Sequence, residues 1–275
     1  MPRRYQDPYL QLNTHYLMVP YTKRERRIRV LLPKNYTENT QTTYPVLYMF
    51  DGQNVFHSRE AYSGHSWKVI PHLKWNSQIP DMMIVAIDHD GEQRLNEYTP
   101  WEMNPAEIKK TQQVGGLGKA HASWIVECVK PFIDQHYRTS PQKETSFLAG
   151  SSLGGLMTAY TGATYPDVFG VLGIFSLASW VNDEAFLHYI AQHPLATQTK
   201  VYLQVGTMEG NETDQGFTSK NVNQMYLDSS LWYYQTLLRT GQPIDTIWFR
   251  ILADEIHHEK CWADHFGEFL VSSFQ

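Results

Sequence analysis

Gly150-Ser151-Ser152-Leu153-Gly154 sets a serine between glycines in the pattern G-x-S-x-G. A hydroxyl so placed can act as a nucleophile where the chain turns sharply from a strand into a helix. Thr145 to Ala149 is a short apolar run that reads as a buried strand. Leu153 to Tyr165 carries Gly154, Gly155, Met157, Ala159 and Ala163, the composition of a closely packed helix. Small residues on both sides suit a strained turn with a helix passing close by. The amides of that helix start favour negative charge developing beside them. Ser152 is therefore the candidate nucleophile, with an ordinary glycine-rich turn as the plain alternative.

A serine hydroxyl is a poor nucleophile unless a base takes its proton and a third group orients that base. Such groups are expected in loops at the ends of later strands. After the apolar run 200–205 stands Gly206-Thr207-Met208-Glu209, with Glu212 and Asp214 a few residues further on. Glu209, nearest the strand end, is the expected orienting acid, and Asp214 is its main rival. After the run 247–252 stands Ala253-Asp254-Glu255-Ile256-His257-His258. Of the 12 histidines, only this pair lies between the last apolar run and the last helical stretch. Register favours His257 as the base, because His258 begins the turn into that helix; His258 stays as the alternative. A zinc site of the H-E-x-x-H type fails, since Trp262 follows His258-Glu259-Lys260-Cys261. Cys261 reads as a small residue packing the last helix rather than a thiol nucleophile. Two N–H donors are needed for an oxyanion. Leu153, next after the serine, supplies one. Gln53, in the Asp51-Gly52-Gln53-Asn54 turn, supplies the other, with Asn54 as second choice.

These residues need a frame that brings distant loops together. Apolar runs occur at 44–50, 82–88, 145–149, 171–177, 200–205 and 247–252, preceded by two consecutive strand-like segments at 9–20 and 26–33. Continuous apolar strands imply burial on both faces, as in a mostly parallel sheet. Helical spacing of apolar residues covers roughly 115–137, 153–165, 182–192, 221–239 and 262–273. The alternation predicts an α/β sheet of about eight strands wound on both faces. No repeat or linker interrupts it, so residues 1–275 are expected to form a single domain. Residues 89–115 are the longest irregular stretch, and a loop of that size is usually functional.

Composition narrows the classes. The chain has 275 residues, 42% of them hydrophobic and 19% charged, with 23 basic against 28 acidic side chains. A net charge of −5 argues against a nucleic-acid surface. The basic stretch Lys23 to Arg29 alternates with Ile28 and Val30 and reads as a half-exposed strand. Cys128 and Cys261 are too few for a disulfide framework, which points to a reducing compartment. No leader-like or membrane-length apolar run is present, so a cytoplasmic protein is expected. Arg94 and Glu97 are expected to tie down the long loop as an ion pair. Trp67, Trp101 and Trp180 could wall a pocket, although core packing is the ordinary use of tryptophan. Asn35-Tyr36-Thr37 and Asn211-Glu212-Thr213 match glycosylation sequons, which carry no meaning in a cytoplasmic protein.

Taken together, the motifs resemble the putative-esterase family of α/β-hydrolases, which includes feruloyl, carbohydrate and siderophore esterases and S-formylglutathione hydrolases. The resemblance spans nearly the whole chain. It rests on Tyr44 to Phe56 with its DGQN segment, Ser66-Trp67, Arg94 with Glu97-Tyr98-Thr99-Pro100, Gly150 to Gly155, Gly206 to Glu209, and the H-x-E-x-x-W ending His257 to Trp262. In that ending the histidine five before the tryptophan is the base, which is His257. The family often uses Asp as its acid, so Glu209 departs from its pattern. The resemblance implies the α/β-hydrolase fold and a serine carboxylic-ester hydrolase working through a Ser152-His257-Glu209 triad. Short-chain acyl, carbohydrate or hydroxycinnamoyl esters are the expected substrates, with no metal or organic cofactor. No nucleic-acid or membrane partner is expected, and a homo-oligomer is compatible with this reading. The alternatives are an acyltransferase using the same nucleophile, and a non-catalytic binding module on a hydrolase fold.

Overall fold

Eight strands build one sheet in the computed structural model, which describes residues 11–105, 114–210 and 221–275. They are β1 (Leu12–Val19), β2 (Arg24–Leu31), β3 (Val46–Met49), β4 (Met83–Ile87), β5 (Ser146–Ser151), β6 (Val171–Phe175), β7 (Lys200–Met208) and β8 (Ile247–Ile256). Their order is β1-β2-β4-β3-β5-β6-β7-β8. β2 pairs antiparallel with β1 and β4, and every pairing from β4 to β8 is parallel. This is the mostly parallel α/β sheet that the apolar runs predict.

The runs are continuous because the sheet is covered twice. Side chains alternate along a strand: Val46, Tyr48 and Leu148 enter the core on one face, and Leu47, Met49 and Phe147 enter it on the other. The first face is covered by α3 (Gly118–Trp124), α4 (Lys130–His136), α5 (Leu153–Thr164), α6 (Asp183–Gln192) and α7 (Val222–Arg239). The second is covered by α1 (Val69–Trp75) and α8 (Glu259–Ser273). The short α2 (Arg94–Glu97) lies in the long irregular stretch, of which 106–113 falls outside the described residues.

Several details differ from the sequence reading. The helix expected over 115–137 is interrupted by a π-helical segment, Ile125–Val129, between α3 and α4. Pro131 in the first turn of α4 has no N–H to continue an i→i−4 ladder, which accounts for the loosened turn. The apolar run 247–252 predicts burial on both faces, but β8 is an edge strand, with Ile251 48% and Ile256 42% exposed. In β2 the basic run forms a strand, yet Arg26 and Arg29 are each only 3% exposed. β2 is interior to the sheet, so their charges must be compensated. Arg26 makes two 2.9 Å bonds to Glu97, and Arg29 bonds Glu60 at 3.0 Å and the Gly52 carbonyl at 2.6 Å. Among the described residues no helix is long and apolar enough to cross a membrane.

Candidate active site

Four consecutive parallel strands deliver polar side chains to their C-terminal edge, where ligands gather in open α/β sheets. Ser152 follows β5, Ser176 follows β6, Glu209 follows β7 and His257 follows β8. Ser152 stands at φ 57°, ψ −124°, between β5 and the first turn of α5. A side chain at Gly150 would meet the Gly154 backbone at 2.6 Å, so the glycines let the chain double back here. The turn is anchored to the neighbouring strand. The Ser152 N–H donates to the Phe175 carbonyl at 2.8 Å, and the Ser152 carbonyl accepts from Ala178 at 3.3 Å. Leu153 opens α5, where the first amides have no intrahelical acceptor.

His257 and Glu209 are brought together, with Nδ1 and Oε2 2.7 Å apart. Glu209 is buried, and its Oε1 accepts from the Ser176 hydroxyl and the Gly206 N–H, both at 2.7 Å. With the Ser176 hydroxyl and the Gly206 amide donating to Oε1, Oε2 is the carboxylate oxygen that faces His257 Nδ1. Aromatic rings confine the imidazole: Tyr226 lies against it at 4.6 Å and Trp262 stands edge-on at 5.0 Å, measured between centroids. His258 does different work. Its Nδ1 accepts the Lys260 N–H at 3.0 Å and caps α8, and its ring lies 5.1 Å from that of His65. Asn211, Glu212 and Asp214 lie outside the described residues. Ser176 was missed by the sequence reading. Its signal was positional, a polar residue at the very end of an apolar strand.

The loop after β3 is fastened from every side. Asp51 adopts φ 51°, ψ 52°, and Gly52–Asn54 form a 3-10 turn. The Asp51 N–H donates to the Tyr98 hydroxyl at 3.1 Å. The Gln53 side chain donates to the His89 carbonyl at 2.8 Å and accepts the His89 N–H at 3.1 Å. Asn54 donates to Glu259 at 3.0 Å and accepts the Tyr62 N–H at 3.0 Å. None of these bonds uses the Gln53 N–H. The expected Arg94–Glu97 pair is replaced by two others. Arg94 grips Asp51 through Nε at 2.6 Å and Nη2 at 2.8 Å, while Glu97 belongs to Arg26. At Asp51 burial acts to raise the carboxyl pKa, but the Arg94 guanidinium outweighs it and holds the group below its ordinary value.

The tryptophans divide between packing and the site. Trp67 is core, stacked on Trp262 at 5.8 Å. Trp101 packs on Tyr160 and Tyr189. Trp180 meets Tyr226, the ring that lies on His257. Cys261 is half-buried, and burial pushes its thiol up, away from the thiolate a nucleophile needs. Among the described residues no group of three or more His, Cys, Asp or Glu side chains could hold a metal ion.

Comparison with known proteins gives the family and the fold. A family model described as "Putative esterase" matches residues 20–233. An uncharacterized Bacillus subtilis (strain 168) protein, YbbA, is 24% identical over 241 residues, covering 88% of this chain and 89% of that protein. A solved ferulic acid esterase superposes with a TM-score of 0.69 at 19% identity, covering 96% of this chain and 97% of the other. The enterobactin esterase Fes from Shigella flexneri superposes with a TM-score of 0.73 at 19% identity, covering 98% of this chain and 60% of that one. With a family model that covers most of its length, the chain belongs to the putative-esterase family and is a carboxylesterase-type hydrolase on the α/β-hydrolase fold.

Proposed function

We propose that the chain hydrolyses carboxylic esters through an acyl-enzyme, with Ser152 as nucleophile, His257 as base and Glu209 as the acid that orients it. The observation that carries this reading is the 2.7 Å bond between His257 Nδ1 and Glu209 Oε2 on the sheet edge that also holds Ser152. His257 Nε2 takes the Ser152 proton as Oγ bonds the ester carbonyl carbon. The resulting oxyanion accepts from the Leu153 and Gln53 N–H groups, and each such donor is worth about 10² to 10³ in kcat. Collapse of this intermediate breaks the bond to the alcohol oxygen, which leaves with the proton from His257. Water then gives a proton to His257 and attacks the acyl carbon, and a second collapse returns the proton to Ser152. Glu209 stays ionised throughout and stabilises the imidazolium.

Short-chain acyl, carbohydrate and hydroxycinnamoyl esters are the proposed substrates. The likeness to a ferulic acid esterase supports the hydroxycinnamoyl esters among these. Purified protein would be assayed on p-nitrophenyl acetate, p-nitrophenyl butyrate, methyl ferulate, an acetylated sugar and a catecholate trilactone, each with and without an added alcohol. Hydrolysis without the alcohol is expected. Turnover that requires the alcohol would identify an acyltransferase instead.

A further inference from the structure

Glu209 is held at both oxygens, and only one of them meets the histidine. Oε2 takes the His257 Nδ1–H, while Oε1 takes the Ser176 hydroxyl and the Gly206 amide, each at 2.7 Å. Ser176 is fully buried at φ 49°, a conformation that non-glycine residues seldom adopt. Its oxygen accepts the Trp262 indole N–H at 2.8 Å. An indole N–H can only donate. The direction of the chain is therefore fixed: Trp262 donates to Ser176, Ser176 donates to Glu209, and His257 donates to the other carboxylate oxygen. Trp262 also sets its ring edge on His257, at 5.0 Å and 88°. One side chain thus touches the base directly and reaches the acid through a single hydroxyl.

We propose that Ser176 and Trp262 are positioning residues that lock the Glu209 carboxylate in its productive rotamer, an inference that rests on Glu209 being the acid that orients His257. A glutamate has one more rotatable bond than the aspartate common in the family, so its carboxylate is harder to fix from the Cα alone. The Gly206 amide folds the side chain back over its own strand end. The Ser176 hydroxyl, oriented by Trp262, keeps Oε1 from turning toward the imidazole. Hydrogen bonds linked in such a chain polarise one another, so the terminal contact is stronger than an isolated one.

Four variants test this: Ser176→Ala, Trp262→Phe, their double, and Glu209→Gln. Each is read by kcat, by KM and by the low-field proton resonance of His257 Nδ1–H in the folded protein. Losing one hydrogen bond to a charged group corresponds to about a ten- to hundredfold fall in kcat, which is expected for Ser176→Ala, while Trp262→Phe loses a bond between neutral groups and should fall by about tenfold or less, both with KM nearly unchanged. The resonance should move upfield or broaden in both. The double variant should be no worse than Ser176→Ala, because both substitutions act on the same carboxylate oxygen. If Trp262→Phe does not fold, Ser176→Ala carries the test alone, since it removes a single oxygen. Wild-type kcat and an unmoved resonance in Ser176→Ala, with Glu209→Gln impaired, overturn the relay while leaving the triad. Wild-type kcat in Glu209→Gln overturns the assignment of the acid, and the relay with it. A fall in kcat that only tracks the folded fraction, with the resonance unmoved, also overturns the relay.

Discussion

Asn54 and Glu259, 205 positions apart in the chain, are joined by a 3.0 Å hydrogen bond between the loop after β3 and the first turn of α8. Both side chains are buried. The bond ties the segment that carries the Gln53 N–H to the segment that follows His257, and so links the position of the proposed oxyanion donor to that of the proposed base. Glu259 also sits where the dipole of α8 favours a negative charge. Asn54→Ala leaves the buried Glu259 oxygen without this donor, at a cost of about 1–3 kcal/mol of stability. Urea unfolding measures that loss, and kcat is expected to fall by about tenfold as the two segments loosen. Unchanged stability and kcat would show that the bond positions nothing.

Arg94 holds the same loop from the other side through its paired bonds to Asp51. A lysine offers a point charge and cannot reproduce the planar two-pronged grip. Arg94→Lys is therefore expected to lower kcat/KM by about tenfold or more, with Asp51→Asn similar and the double variant less than the sum. Steady-state kinetics on a short-chain p-nitrophenyl ester check this. Wild-type activity in Arg94→Lys would show that the paired grip does not position the loop.

The two adjacent histidines should separate cleanly. His257→Ala is expected to lower kcat by about 10⁴ to 10⁶. His258→Ala removes only a helix cap worth about 1 kcal/mol and should leave kcat within about tenfold of wild type. The reverse ranking in the same assay would move the base by one residue.

His121 makes stability depend on pH. It is fully buried beneath α2, with Nδ1 2.8 Å from the Tyr21 hydroxyl. Burial, aided by the Arg26 charge, lowers its pKa to about 3. The unfolded chain therefore takes up this proton first as pH falls. The stabilisation is complete above the ordinary histidine value of about 6.5 and is lost below it, by at most about 1.4 kcal/mol per pH unit. Urea midpoints at several pH values between neutrality and about 4 measure the slope, and His121→Phe should flatten it by about one proton. An identical slope in that variant would assign the dependence to other groups.

The strands of the sheet were legible because burial on both faces leaves a continuous apolar run, and Leu148 or Ile84 has no alternative use. Ser152, Glu209 and His257 were legible as positions because each follows such a run. Partnerships were not. Arg94 and Glu97 are three residues apart, so local reading paired them, yet their partners Asp51 and Arg26 lie 43 and 71 positions away. Ser176 gives no such signal either: a serine at a strand end is ordinary until Trp262 is brought to it from α8 and Glu209 from the end of β7. Buried Arg26 and Arg29 misled as well, since a charge on an interior strand depends on a counter-charge that periodicity does not record. The exposed face of β8 follows from its place at the sheet edge, which an apolar run alone does not reveal.

Covalent labelling of the serine is the most direct test of the central claim. Wild-type protein treated with a fluorophosphonate should gain one adduct by intact mass, and peptide mapping should place it on Ser152. Ser152→Ala should gain none under the same conditions, while Ser151→Ala should still label. An adduct that persists in Ser152→Ala and disappears in Ser151→Ala would contradict the account at its root.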